Sequence, residues 1–220
     1  MIMAGAGSND TAHAVRIGVA SQEAGAEGLL INAPYYNRPS QEGVYRHINA
    51  VVEATDLPVM VYDIPGRTGV KITEDTLARL AENPRVKAVK DATGDVEQGF
   101  RRMESTGLEY YSGDDGLNFA WLTHGASGVI SVAAHADAHS WRQMIAAVDA
   151  GDLASARTLA RSLRPLVHAI MGGGQGAVMA KEALHLQGRL PSPVLRLPLV
   201  RAEEAEVAAL REALAASGLL

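Results

Sequence analysis

The chain has 220 residues, 47% hydrophobic, 20% charged and 5% aromatic, with a formal net charge of −5, which suits one α/β domain with a sizeable core. No window is densely basic, so the concentrated Lys/Arg footprint of a nucleic-acid binder is missing. No apolar run is long enough to span a bilayer, and the absence of cysteine removes disulfides, thiolate nucleophiles and Cys-ligated zinc.

Short β-branched runs alternate with amphipathic stretches, the pattern of βα units around a parallel sheet. Residues 2–4 read as a first strand and residues 10–24 as a helix opened by capping candidates at Ser8 to Asp10. A strand at 29–32 precedes a helix at 41–54 with Ser40 as N-cap, and a strand at 59–63 precedes a helix at 73–82. That helix has acids in its first turn, and Asn83-Pro84 stops it. Further strands are expected at 86–90, 109–112 and 128–131, then helices only, at 141–150, 153–171, 177–186 and 203–216. The glycine-rich stretch 172–176 reads as a break between two of them. Strand starts near 29, 59 and 86 are one βα unit apart. Six such units fit an open doubly wound sheet or part of a (β/α)₈ barrel, and periodicity does not choose between them.

Residues that can do chemistry gather after the carboxyl ends of these strands, where α/β enzymes place their sites. Lys90 ends an apolar strand. Desolvation there would lower its pKa toward a free, nucleophilic amine, whereas the plainer reading is a lysine that snorkels to the strand end. Lys87 is expected on the opposite face, toward solvent. Tyr62 could move protons or simply pack with its hydroxyl satisfied. Arg67, in a loop after Pro65-Gly66, suits a small carboxylate or is a solvated loop charge. Tyr35 and Tyr36 stand among prolines and polar residues, too exposed by sequence for a plain core.

Other features carry less. Gly5-Ala6-Gly7 fails the dinucleotide fingerprint, because Asp10 occupies the third glycine's place. The glycines at 172–176 lack a phosphate loop's Lys-Ser/Thr ending. His135 and His139, four apart, could share a helix face, but no third ligand is evident and no metal is expected.

Five segments share one resemblance: Pro34-Tyr35-Tyr36-Asn37-Arg38-Pro39, Tyr62-Asp63-Ile64-Pro65-Gly66-Arg67-Thr68-Gly69, Lys90-Asp91-Ala92-Thr93-Gly94, Ser112-Gly113-Asp114-Asp115 and Gly128-Val129-Ile130-Ser131. In order and spacing they resemble the dihydrodipicolinate synthase family across essentially the whole chain. The resemblance implies a (β/α)₈ barrel, N-terminally truncated here to about six βα units. Residues 1–140 would be the barrel portion and residues 141–220 a C-terminal helical extension packed on it. It implies a cytoplasmic lyase of lysine and diaminopimelate biosynthesis, a homo-oligomer (dimer or tetramer) that condenses pyruvate with L-aspartate 4-semialdehyde and uses no cofactor. Lys90 would form the imine, and Tyr62 and Tyr36 would relay protons, Tyr36 from the neighbouring subunit. Arg67 would hold substrate carboxylate, and the backbones of Gly113 and Ile130 would line the pyruvate pocket. Asn9 and Tyr35 match the family's lysine-effector site, but His13 stands where sensitive members often carry an acid, so weak lysine inhibition is expected.

The chain starts at what resembles the family's third strand, without its Gly-Thr-Thr motif, and the expectation is a start codon assigned too late. Two further readings stand beside the synthase. One is a sister lyase acting on N-acetylneuraminate or 2-keto-3-deoxy sugar acids, against which Arg67 argues. The other is an inactive truncated barrel.

Overall fold

The computed structural model describes every residue except Gly173 and Gly174, and the expected break at 172–176 lies in part outside the described residues. Six strands form one sheet: β1 (Met3–Gly5), β2 (Gly28–Asn32), β3 (Val59–Asp63), β4 (Val86–Asp91), β5 (Glu109–Ser112) and β6 (Gly128–Val129). They lie side by side in chain order, and the pairs from β1 through β5 are parallel. That order decides between the two architectures left open by periodicity. A doubly wound sheet reverses direction at a switch point, whereas strands added one after another on the same side build a barrel wall.

Ten helices are described: α1 (Thr11–Glu23), α2 (Gln41–Glu53), α3 (Pro65–Thr68), α4 (Glu74–Ala81), α5 (Val96–Thr106), α6 (Asn118–Thr123), α7 (Ala138–Asp149), α8 (Leu153–Met171), α9 (Gly176–Leu186) and α10 (Glu204–Ala216). Several start as the sequence dictates. The side chains of Asp10, Ser40 and Thr73 accept hydrogen bonds from the backbone N–H of His13, Gly43 and Thr76, satisfying donors that a helix start leaves open. Elements α5 and α6 were not expected, and neither was α3, where a loop was expected around Arg67. Helix α5 shows few apolar residues in sequence, yet Asp95 caps its start and Gly107, at φ 64°, ends it in the left-handed region that favours glycine.

Two expectations need correction. The last strand stops at Val129 rather than 131, because the Asp115 carboxylate takes the backbone N–H groups of Val132 (3.0 Å) and Ala133 (2.8 Å). His135 and His139 do not share a helix: His135 ends a short 3₁₀ turn, Ala133–His135, and His139 lies in α7, which Asp137 caps.

The chain divides into two compact units. Met1–Gly113 with His124–Gly128 forms one, and Asp114–Thr123 with Val129–Leu220 the other. In the first, strand residues Leu29, Ile31, Val61 and Val89 are sealed together with helix residues Ile48, Leu77 and Leu80. Each such side chain contributes about 1.5–3 kcal/mol on burial. The second has its own core, centred on Trp141, Met144, Leu166, Ile170, Leu210 and Leu214. Among the described residues, no helix is long and apolar enough to cross a membrane.

Candidate active site

Strand register brings the two residues of greatest chemical interest side by side. Between β3 and β4 the pairing shifts by one residue after Val59, so that Met60 faces Ala88, Tyr62 faces Lys90 and Asp63 faces Asp91. Without that shift, Val89 would stand opposite Tyr62. Lys90 is only 9% exposed, and its Nζ lies 4.1 Å from the centroid of the Tyr62 ring. A ring face attracts an ammonium and shields it from bulk water. Lys87 is exposed, as expected for its place on the strand. Burial pushes the Tyr62 phenol above its ordinary pKa, and the positive charge of Arg67 pulls it partly back.

Gly113, just past β5, is fitted against the same lysine. Its N–H donates to the Asp91 carbonyl (2.7 Å), and a Cβ added there would meet Lys90 Cε at 2.9 Å and that carbonyl oxygen at 3.0 Å. Only glycine leaves the lysine stem its present course.

Arg67 is exposed on α3, a helix of one turn that Pro65 opens and Gly69, at φ 76°, closes. With Tyr36, Arg38, Gly66, Thr68 and Gly69 it lines an open cleft of about 660 Å³. Tyr36 is 89% exposed, and both Tyr36 (φ 73°) and Arg38 (φ 43°) adopt left-handed backbone conformations that such residues seldom hold without cause. Tyr35 is exposed and Asn9 half-buried. Asn37, which sequence reasoning gave no role, links them: its side-chain amide donates to the Asn9 carbonyl (2.9 Å) and its backbone N–H to the Tyr35 carbonyl (2.9 Å). His13 is exposed on α1. Ile130 is half-buried, directly after β6, in the second compact unit.

The structure therefore gathers Lys90, Tyr62 and Gly113 into one contact group, and Tyr36 and Arg67 into one cleft. Sequence reasoning missed the groups behind them. Asp63, Asp91 and Arg102 are all sealed from solvent, and Arg102 Nη1 lies 3.1 Å from Asp63 Oδ2 and 3.9 Å from Asp91 Oδ2. Burial raises the Asp63 carboxyl to about 6 against the pull of the Ile72 N–H and Arg102, and it raises Asp91 as well. An arginine at an inward position of α5 was the available signal, but it needed that helix to be recognised first. Among the described residues, no group of three or more His, Cys, Asp or Glu is placed to hold a metal ion.

Residues 1–217 match the dihydrodipicolinate synthetase family. The chain belongs to it. A 4-hydroxy-tetrahydrodipicolinate synthase of Bifidobacterium longum is 49% identical over 219 residues, which cover 100% of this chain and 73% of that protein. Among solved structures, dihydrodipicolinate synthase of Thermotoga maritima has TM-score 0.95 at 38% identity over 99% of this chain and 75% of its own. The chloride-inhibited enzyme of Acinetobacter baumannii, complexed with pyruvate, gives TM-score 0.95 at 37% identity over 100% of this chain and 75% of its own. These family members bear the name of the synthase and not of the sugar-acid lyases. In the family's terms, the six strands and their helices are a (β/α)₈ barrel portion of about six βα units with a C-terminal helical extension.

Proposed function

We propose that this chain is a Schiff-base lyase that condenses pyruvate with L-aspartate 4-semialdehyde to give 4-hydroxy-tetrahydrodipicolinate, with Lys90 as the attacking amine. The observation that carries the reading is a primary amine 9% exposed, lodged over a phenol ring at the carboxyl end of a parallel strand. In the chemistry that follows, the Lys90 amine adds to the C2 carbonyl of pyruvate. The carbinolamine loses water and becomes an iminium. The iminium withdraws electrons from C2, so a proton leaves the methyl group and an enamine forms. Its carbon attacks the aldehyde, and the amino group of the aspartate semialdehyde portion then adds to C2, closing the ring and displacing the Lys90 amine, so that the one water lost in forming the iminium is the only water released. Tyr62 is a proton carrier whose ring lies against the amine. Its raised pKa keeps it protonated, so it can donate to the departing hydroxyl. Arg67 offers a two-pronged donor to a carboxylate at the cleft that it lines.

In this reading Gly113, fitted against the Lys90 stem, lines the pyruvate pocket, and residues 1–140 and 141–220 are the barrel portion and its extension. Tyr36, 89% exposed and held outward by its backbone, serves the site of a second copy in a cytoplasmic homo-oligomer. Trapping is the test. Pyruvate and borohydride should leave a reduced three-carbon adduct on Lys90, located by peptide mapping, and an unmodified Lys90 sinks the reading. Asn9 and Tyr35, joined through Asn37, would form the lysine-effector site. With exposed His13 in place of an acid, free lysine should inhibit weakly or not at all, and a steep lysine titration of activity would contradict that assignment.

A further inference from the structure

The strand ends that carry Tyr62 and Lys90 also carry, one residue later, two carboxylates. Tyr62 faces Lys90 and Asp63 faces Asp91, and side chains alternate along a strand, so the carboxylates lie on the sheet face opposite the amine and the phenol. Adjacent strands sit about 4.8 Å apart. Two sealed carboxylates at that separation repel each other, and they would push β3 and β4 apart where the amine and phenol must meet.

Arg102, reaching in from α5, occupies the position that cancels this repulsion. Its Nη1 lies 3.1 Å from Asp63 and 3.9 Å from Asp91, and its Nη2 donates to the Ile72 carbonyl at 2.6 Å. The Ile72 N–H returns a bond to Asp63 Oδ1 (3.2 Å), and Thr93 ties the other Asp91 oxygen with its N–H and hydroxyl (2.9 and 2.8 Å). The guanidinium thus hydrogen-bonds the end of β3 and the loop that follows Arg67, and it faces the end of β4 as an ion pair at 3.9 Å without a hydrogen bond. A buried cluster of this kind is poor value as stabilisation, since its desolvation rivals its attraction, and it is better suited to fixing geometry.

We propose that Arg102 is a positioning residue for the active site: by bridging Asp63 and Asp91 it keeps β3 and β4 in the register that seats Lys90 over the Tyr62 ring. The inference rests on the function proposed above for Lys90, and its test reads the lysine without using pyruvate. Native reductive methylation, mapped by mass spectrometry, compares Lys90 with Lys87, the exposed lysine of the same strand, as internal reference.

In Arg102→Met the ratio of Lys90 to Lys87 labelling should rise roughly 2- to 30-fold, the range a lost cation–π contact supports. Arg102→Lys, which keeps the charge but not the fork, should fall between. A lowered melting temperature with an unchanged ratio would show that Arg102 only stabilises the fold and would overturn the proposal. Should Arg102→Met fail to fold, the charge-balanced pair Arg102→Met with Asp63→Asn decides on the same ratio: a rise supports the proposal and the wild-type value overturns it. Absence of a pyruvate adduct on the wild-type chain, by contrast, would refute the lyase reading while the labelling ratio still judged Arg102.

Discussion

Between β3 and β4, the two faces of the sheet carry opposite chemistry at neighbouring residues. On one face Tyr62 stays half-buried and Lys90 keeps 9% exposure. On the other, Asp63, Asp91 and Arg102 are no more than 1% exposed, with no route for a substrate. The strand's two-residue period makes this division possible, since a shift of one position moves a side chain from one environment to the other. The comparison teaches that charge alone does not mark a catalytic group. The cluster with the more strongly perturbed acids is the fully sealed one, and the face proposed to be reactive is the one that keeps some exposure.

Tyr62→Phe separates the faces most sharply. It keeps the ring beneath Lys90 and removes only the hydroxyl, so the proton-carrying role is lost while the seat of the amine remains. The rate of adduct formation with pyruvate should fall about 10²–10⁴-fold, the usual range for a general acid–base group, with little change in melting temperature. An unaltered rate would reduce Tyr62 to packing.

The opposite face answers to pH. Burial first, and Asp91 in addition, raise the Asp63 carboxyl to about 6 from an ordinary 3.8, so its protonated form is favoured in the folded chain. A raised carboxyl contributes stability that is fully present below the unfolded value and is lost as pH climbs through the folded one. The loss between pH 4 and 7 amounts to about 3 kcal/mol at this residue, an order-of-magnitude figure. Denaturant titrations should show the wild-type chain losing that much relative to Asp63→Asn over the same interval. Parallel curves for the two proteins would mean that Asp63 is not the strained member of the cluster.

Local features of this site were legible in sequence, and relational ones were not. Short apolar or aromatic runs marked all six strands, and Lys90, Tyr62 and Arg67 each stood out by position at a strand end. Their mutual placement was invisible, because the register that sets Tyr62 against Lys90 depends on a one-residue shift between strands 27 residues apart in their starting positions. Chain-order pairing, which chose the barrel wall over the doubly wound sheet, is likewise a property of neighbours in space. Arg102 was hidden for a different reason. Its helix carries few apolar side chains, Val96, Phe100 and Met103, since part of its inward face is the arginine itself, and a buried charge reads in sequence as a solvated one. The His135 and His139 pair failed conversely: spacing suggested one helix, and the Asp137 cap starts a new one between them.

Gly113 joins the two faces, because its missing side chain borders both the Lys90 stem and the backbone of Asp91. In Gly113→Ala the new methyl would lie 2.9 Å from Lys90 Cε and 3.0 Å from the Asp91 carbonyl oxygen. The lysine end can swing aside, whereas the carbonyl is held in the sheet and accepts the 2.7 Å bond from this same residue's N–H. Overpacking of this sort costs about 1–3 kcal/mol, the smallest of the three effects. It should be shared between a modest loss of stability and a displaced amine. If the methyl mainly moves Lys90, pyruvate trapping slows while the pH dependence due to Asp63 survives, and the two faces are mechanically separate. If it mainly moves the Asp91 backbone, both change together, and the reactive face and the clamped face are one unit.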